Sequence, residues 1–379
     1  MKPKVVYWNN IPTPYIIERF NAVMKRGELD FEGWFSDMIE PDRSWKLDTK
    51  EWRFPFRLIP CAKIAGKRIH FPPPEILTKK IDVLVAFYSN PAMVAGLAAA
   101  KMRGVRTALW CQVTPDGWFP KSAWKEIIKK TVISNVDAVF GSGEESRAYA
   151  MRYGASSDRA MKLRHAIDVG FFSSVSSAAR QTRAEERSRL GIKNTTFIYV
   201  GRLWWGKGLN YLFEAFGQMQ KSGQPVCVDA TLLLAGDGTD EQRLREQALK
   251  SGLRNVIFLG YVQKEELPKY YALSDVFVFP TLGDPYGLVV DEAMACGLPI
   301  ISTSAAGEIG ERIEEGKNGF IVPPRDSRAL GMAMQKFCVD PSLAASMGAE
   351  SRTRIEGHTP EQWAVDFEAI VHKILSNRK

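Results

Sequence analysis

Short continuous apolar runs alternate along this chain with longer stretches whose apolar residues recur at helical spacing. The first run, Lys4–Trp8, predicts a strand, and IPTPYIIERFNAVMK behind it predicts a loop and then a helix with Ile16, Ile17, Phe20 and Val23 on one side. IDVLVAFYS predicts a buried strand, PAMVAGLAAAKMRG a helix and TALWCQV another strand. VDAVFGSG and EESRAYAMRYG repeat the strand–helix unit. Residues 173–195 are polar, Ser-rich and charged, and read as a linker or a surface helix. Alternation then resumes. Strands TFIYVGR, ATLLLAG, VIFLG, DVFVFP and PIISTS are interleaved with helices GLNYLFEAFGQM, DEQRLREQALKSG and LVVDEAMACG. In the tail, Trp363, Phe367, Ile370 and Ile374 form one helical stripe.

Strands alternating with helices predict parallel βαβ units, so the fold class is α/β with two Rossmann-like domains. The expected division is 1–175, 176–358 and a terminal helix over 359–379. Open parallel sheets bind ligands beyond the carboxyl ends of their strands, so a cleft between the two domains is the expected site.

Composition narrows the class. With 45% hydrophobic and 25% charged residues the chain is globular rather than disordered, and no apolar run is long enough to span a membrane. Its beginning, MKPKVVYWNN, has only a short apolar stretch, so a signal peptide is not expected there. Cys61, Cys111, Cys227, Cys296 and Cys338 are scattered and the four histidines are far apart. Neither a disulfide framework nor a structural zinc site is expected, and a reducing cytoplasm is the default.

Charge is uneven. Residues 1–180 hold 28 Lys+Arg against 18 Asp+Glu, while the remainder holds 23 against 25. A basic half suggests a polyanionic partner. No nucleic-acid-binding motif is present, so nucleic acid is not expected. The densest basic segment is WFPKSAWKEIIKKTVI, residues 118–133. As a helix it would set Trp118, Phe119, Trp124, Ile127 and Ile128 among Lys121, Lys125, Lys129 and Lys130, which suits an anionic leaflet. An ordinary surface helix with its apolar side in the core is the plain alternative.

Two segments carry candidate chemistry. GRLWWGKG (201–208) follows the spacing of a phosphate-binding P-loop until Gly208 stands where a Mg²⁺-holding hydroxyl is needed, which disfavours a nucleotide triphosphatase. No GxGxxG follows the first strand, no GxSxG occurs and no Asp-x-Asp pair is present. Arg202 as a fork and Lys207 as a point charge still suit a diphosphate. A surface turn with solvated charges is the alternative. In PTLGDPYGLVVDEAMACGLPI (280–300) a strand gives way to a helix whose first amides, at Gly287, Leu288 and Val289, form an anion site. Asp284 and Glu292 would grip sugar hydroxyls beside it. Asp284 could equally complement the helix dipole, and Glu292 could face solvent.

The combined spacing resembles the retaining, two-Rossmann-domain glycosyltransferases of family 4, which have the GT-B fold. The residues carrying it are Gly201-Arg202, Lys207-Gly208, Gly236-Asp237-Gly238, Gly260-Tyr261-Val262, Asp284, Tyr286-Gly287, the run Glu292–Gly297 and NGFIVPP. The resemblance is specific over 197–325. In the first half, IPTPY resembles a bacterial polysaccharide and lipopolysaccharide subgroup, and AIDVGFF resembles the family's interdomain joint. It implies a transferase that moves a sugar from a nucleotide-diphosphate sugar to a glycan or lipid-linked acceptor with retention. No cofactor or metal is implied, and the setting is the cytoplasm or the cytoplasmic face of the membrane.

It also implies roles. Arg202 and Lys207 would hold the diphosphate, Glu292 the ribose, and Asp284 the transferred sugar. The backbone at Gly287–Val289 would touch the sugar and distal phosphate, Tyr286 and Gly201 would belong to the same donor site, and Val262 would lie against the base. The terminal helix would cross back to the N-terminal domain, where Pro14, Tyr15, Gln112 and Asp116 are the acceptor-side candidates. Three departures stand out. Asp284 replaces a Glu, a proline-containing loop replaces a glycine-rich one, and LWCQVTPDG lacks the family's histidine.

Overall fold

The computed structural model describes residues 1–39, 47–64, 67–88, 90–112 and 123–376. They fall into two compact units, one made of the chain up to Ile167 together with His358 onward, the other of Asp168–Gly357.

The first unit holds the strands β1 (Lys4–Asn9), β2 (Asp30–Phe35), β3 (Phe56–Leu58), β4 (Cys61–Ile64), β5 (Lys67–His70), β6 (Val83–Ala86), β7 (Arg106–Cys111), β8 (Ala138–Gly141) and β9 (Ala160–Lys162). Seven of these form a parallel sheet in the order β3-β2-β1-β6-β7-β8-β9, while β4 and β5 pair antiparallel apart from it. The helix Pro14–Arg26 starts cleanly because Thr13 accepts the Ile16 amide and Pro14 needs no donor there.

The terminal helix, Pro360–Ser376, belongs to this unit. Trp363, Phe367, Ile370 and Ile374 are buried with Tyr7, Phe20, Phe31 and Phe140 in one core. Trp363 and Phe367 stack at 4.9 Å, and Phe367 meets the Tyr7 ring at 5.9 Å. Glu368 pairs with Arg26 at 2.7 Å. At about 1.5–3 kcal/mol per fully buried large apolar side chain, the stripe is a major part of what holds this unit together.

The helix Ala123–Asn135 covers the described part of the basic segment. The sequence placed Lys129 with the other lysines on a basic face. Instead Lys129 turns inward, with Nζ 2.9 Å from Glu126 and 2.6 Å from the Tyr149 hydroxyl. Trp124, Ile127 and Ile128 face outward, 60%, 66% and 39% exposed. Trp118, Phe119 and Lys121 lie outside the described residues.

The second unit holds β10 (Thr196–Val200), β11 (Thr231–Ala235), β12 (Val256–Gly260), β13 (Val276–Phe279), β14 (Ile300–Thr303) and β15 (Gly319–Val322). All pair parallel, in the order β12-β11-β10-β13-β14-β15. The strands are largely apolar because helices cover both faces of such a sheet. The polar stretch before β10 is helical, Val169–Ala179 and Arg183–Arg189.

In each unit the strand order reverses at one place, beside β1 against β6 and beside β10 against β13. Loops leaving adjacent strands in opposite directions open a crevice there, where ligands of open α/β sheets bind.

Candidate functional site

At the reversal in the second unit, the loop after β10 carries Gly201, Arg202 and Lys207, and the loop after β13 carries Asp284 and Tyr286. Backbone bonds join them. The Leu282 amide donates to the Gly206 carbonyl at 3.0 Å, and the Leu203 amide donates to Asp237 at 2.7 Å, drawing in the loop after β11. Gly208 sits at φ +69 where a Cβ would fall 2.0 Å from the Pro280 carbonyl oxygen, so only glycine lets these loops touch.

Arg202 is partly exposed, with its guanidinium 5.9 Å from the centre of the Trp204 ring. Its backbone is fixed by the Tyr199 hydroxyl, which donates to the Arg202 carbonyl at 2.8 Å. Burial, reinforced by the negative charge of Asp284, pushes the Tyr199 phenol well above its ordinary pKa, so it stays protonated as that donor.

Lys207 forms an ion pair with Asp284, and both side chains are largely buried. Its ammonium also lies 5.5 Å from the Phe279 ring centre. Burial works to raise the Asp284 pKa. The Lys207 charge and hydrogen bond, with the Tyr286 amide at 3.0 Å, outweigh it and hold the carboxyl below the usual range. The sequence expectation set Lys207 on the diphosphate and Asp284 on the sugar as separate contacts. The structure brings them together.

The helix Leu288–Ala295 follows, with Gly287 as its cap at φ +78. A Cβ on Gly287 would lie 2.7 Å from the Phe279 ring. Leu288 and Val289 occupy the first turn, whose amides lack partners earlier in the helix. Glu292 is fully buried rather than solvated, and accepts a hydrogen bond from the Tyr271 hydroxyl at 2.9 Å. Val262 lies just past the carboxyl end of β12 and is half-buried.

The sequence reading missed what fixes this turn. Arg312, buried on the helix Ile309–Arg312, donates to the carbonyls of Tyr286, Gly287 (3.1 Å) and Gly307 (2.9 Å), and to Asp291 at 3.1 Å. Its guanidinium lies 4.0 Å from the Tyr286 ring centre. Asp291 is fully buried. An aspartate inside the apolar run LVVDEAMA was the available signal, since a buried carboxylate needs a cation.

In the first unit, Pro14 and Tyr15 begin the helix after β1, and Gln112 follows β7. Tyr15 contributes its carbonyl to Arg19 Nε at 3.0 Å. Arg19 Nη1 lies 3.1 Å from His165 Nδ1, and Gln112 lies 2.7 Å from His165 Nε2. Arginine can only donate, so Nδ1 accepts the Arg19 bond. His165 is thereby a buried link between Arg19 and Gln112. Asp116 lies outside the described residues.

Residues 182–354, which contain both loops and the helix between β13 and β14, match the sequence profile of the family described as glycosyl transferases group 1. This part of the chain is similar to the group 1 glycosyl transferases. Glycogen synthase of Mycobacterium tuberculosis is 34% identical to the chain over 179 residues, 47% of this chain and 42% of that enzyme. The match therefore spans less than half of the relative's length. Among solved structures, Anabaena HepE in complex with UDP is similar over 98% of this chain and all of its own, with TM-score 0.77 and 18% identity. Sucrose-phosphate synthase of Thermosynechococcus elongatus is similar over the whole of both chains, with TM-score 0.75 and 19% identity. At these identities the likeness establishes the fold. It is α/β with two parallel sheets, and the segment similar to group 1 glycosyl transferases supplies the second.

Proposed function

We propose that the chain is a retaining glycosyltransferase that passes a sugar from a nucleotide-diphosphate sugar to a hydroxyl of a glycan or lipid-linked acceptor in cell-surface polysaccharide assembly. The observation carrying this is the pairing of loops at the β10/β13 reversal, which gathers Arg202, Lys207 and the first turn of Leu288–Ala295 within the segment similar to group 1 glycosyl transferases. The UDP complex of HepE supports a nucleotide donor.

A departing nucleoside diphosphate gains negative charge, and fixed cations with a helix N-terminus stabilise that charge without a metal. Arg202 supplies a fork for the phosphates. Lys207 is neutralised by Asp284 before donor arrives, so the incoming diphosphate must share its ammonium. The carboxylate then keeps one fixed neighbour, the Tyr286 amide, and offers its remaining lone pairs to sugar hydroxyls. That binding role, rather than nucleophilic attack, fits same-face transfer in which the leaving phosphate oxygen takes the acceptor proton. Glu292 is the ribose contact in this reading, Val262 the base contact, and Pro14, Tyr15 and Gln112 the acceptor side.

The reaction is placed at the cytoplasmic face of an anionic membrane. The outward row Trp124, Ile127 and Ile128, flanked by exposed Lys125 and Lys130, supports that placement. No described helix is long and apolar enough to cross a membrane.

The test is turnover of a nucleotide-sugar panel by wild type, Lys207→Ala and Glu292→Gln, with flotation on anionic vesicles. Each substitution is expected to lower transfer by about 10²–10³, the usual loss when one charge-stabilising group is removed. Full activity in both variants would sink the site assignment. Donor binding without hydrolysis or transfer would leave a non-catalytic binding protein, and absent flotation would remove the membrane.

A further inference from the structure

At the amino-terminal edge of the second sheet, opposite the donor loops, two arginines share one carboxylate and two more meet on a backbone carbonyl nearby. Arg183 and Arg187 share Asp275, which directly precedes β13, at 2.5 and 3.2 Å. Each also reaches the Leu273 carbonyl. Their charges are therefore only half offset.

Arg180 and Arg352 come from different helices, one at the end of Val169–Ala179 and the other on Ser342–Ile355. They meet at a single atom. Arg180 Nη2 lies 3.1 Å and Arg352 Nη2 3.3 Å from the Cys296 carbonyl oxygen, at the end of Leu288–Ala295. Neither has a carboxylate within ion-pair distance among the described residues.

A helix C-terminus carries roughly half a negative charge, so one cation already complements it. Two full guanidiniums on one carbonyl, beside the half-offset Arg183, leave an excess of positive charge in a partly desolvated place. Burial, then the neighbouring charges of Arg183 and Arg352, depress the Arg180 pKa, in keeping with that excess. The Nε–H groups of Arg180, Arg183 and Arg352 are all buried and have no hydrogen-bond partner. Buried donors left without a protein partner call for one, and water or an ion can supply it. Forked donors and surplus positive charge are what a tetrahedral oxyanion needs.

We propose that Arg180, Arg183 and Arg352 form a second anion site that takes a phosphoryl group, free or borne by a small metabolite. It is distinct from the phosphate end of the donor site, because the first turn of Leu288–Ala295 and the Cys296 carbonyl stand at opposite ends of that eight-residue helix, about 12 Å apart, with Glu292 between them. The proposal goes beyond the transferase reading and does not depend on turnover.

The test measures the melting temperature with inorganic phosphate, against chloride at matched ionic strength, for wild type, Lys207→Ala, Arg180→Gln and Arg352→Gln. Phosphate at saturating concentration should raise the wild-type melting temperature by about 2–4 °C. Lys207→Ala should keep the rise, and both arginine variants should lose it. Should Arg352→Gln fail to fold, Arg180→Gln decides alone, since Arg352 still caps the helix end in that variant. Three results overturn the proposal: no rise over chloride, a rise lost in Lys207→Ala, or a rise kept in Arg180→Gln. If the rise holds in wild type, a phosphorylated sugar added to the same series separates a metabolite from free phosphate by its larger shift.

Discussion

Replacing Arg312 by Met should cost more stability than any change at an exposed charge. The guanidinium serves three carbonyls and Asp291, and it lies against the Tyr286 ring. Asp291 Oδ2 has no partner even now, so the substitution leaves a fully buried carboxylate with no cation. Breaking one side of a buried pair costs about 3–5 kcal/mol. For a unit of this size, about 2–4 °C accompanies each kcal/mol, so the transition of the second unit should fall by roughly 6–20 °C. The assay is thermal unfolding followed by a chemical-denaturant series, on wild type, Arg312→Met, Asp291→Leu and the double variant. Removing both charges relieves the orphaned ion, so the double variant should be at least about 2 kcal/mol more stable than the summed single losses imply. Additivity to within about 0.5 kcal/mol, or a single loss below about 1 kcal/mol, would show that Arg312 does not hold the turn.

Gly287→Ala should lose about 1–2 kcal/mol for the left-handed backbone, and more for the contact with Phe279, and should raise the donor KM because the first turn of the helix shifts. Equal KM in calorimetry-matched samples would separate that turn from donor binding. Asp284 titrates below the ordinary aspartate value near 3.8, so its stabilising pair is fully present above that value and is lost as pH falls through the lower, folded one. Asp284→Asn should therefore flatten the acid limb of the stability profile below about pH 4, and an unchanged limb would contradict the pairing with Lys207.

How far the sequence spoke depended on whether a strand's apolar character was continuous. VIFLG was read over the residues that form β12, and TFIYV and TLLLA stand inside runs read as strands, because buried parallel strands need no alternation. DFEGWF was not read as a strand, yet it is β2. Glu32 interrupts it, and that carboxylate is buried only because Arg57 reaches it at 2.7 Å from β3. A partner so distant in sequence leaves no local signature. The same reason hid Arg312. The donor loops were legible because glycines and cations recur there at fixed spacing. That Lys207 would spend its charge on Asp284, far along the chain, was a tertiary fact. The tail stripe could be read because all four of its apolar residues lie on one short stretch of helix.

That tail has a consequence for synthesis. The helix Pro360–Ser376 fills the core of a unit whose other strands and helices end at Ile167, and the whole of the second unit is translated between them. During elongation the first unit must wait, with Tyr7, Phe31 and Phe140 lacking their cover, while the second can already mature on the ribosome. The later-encoded unit is thus the one that can close its core first, because the first unit's core includes a helix encoded after it.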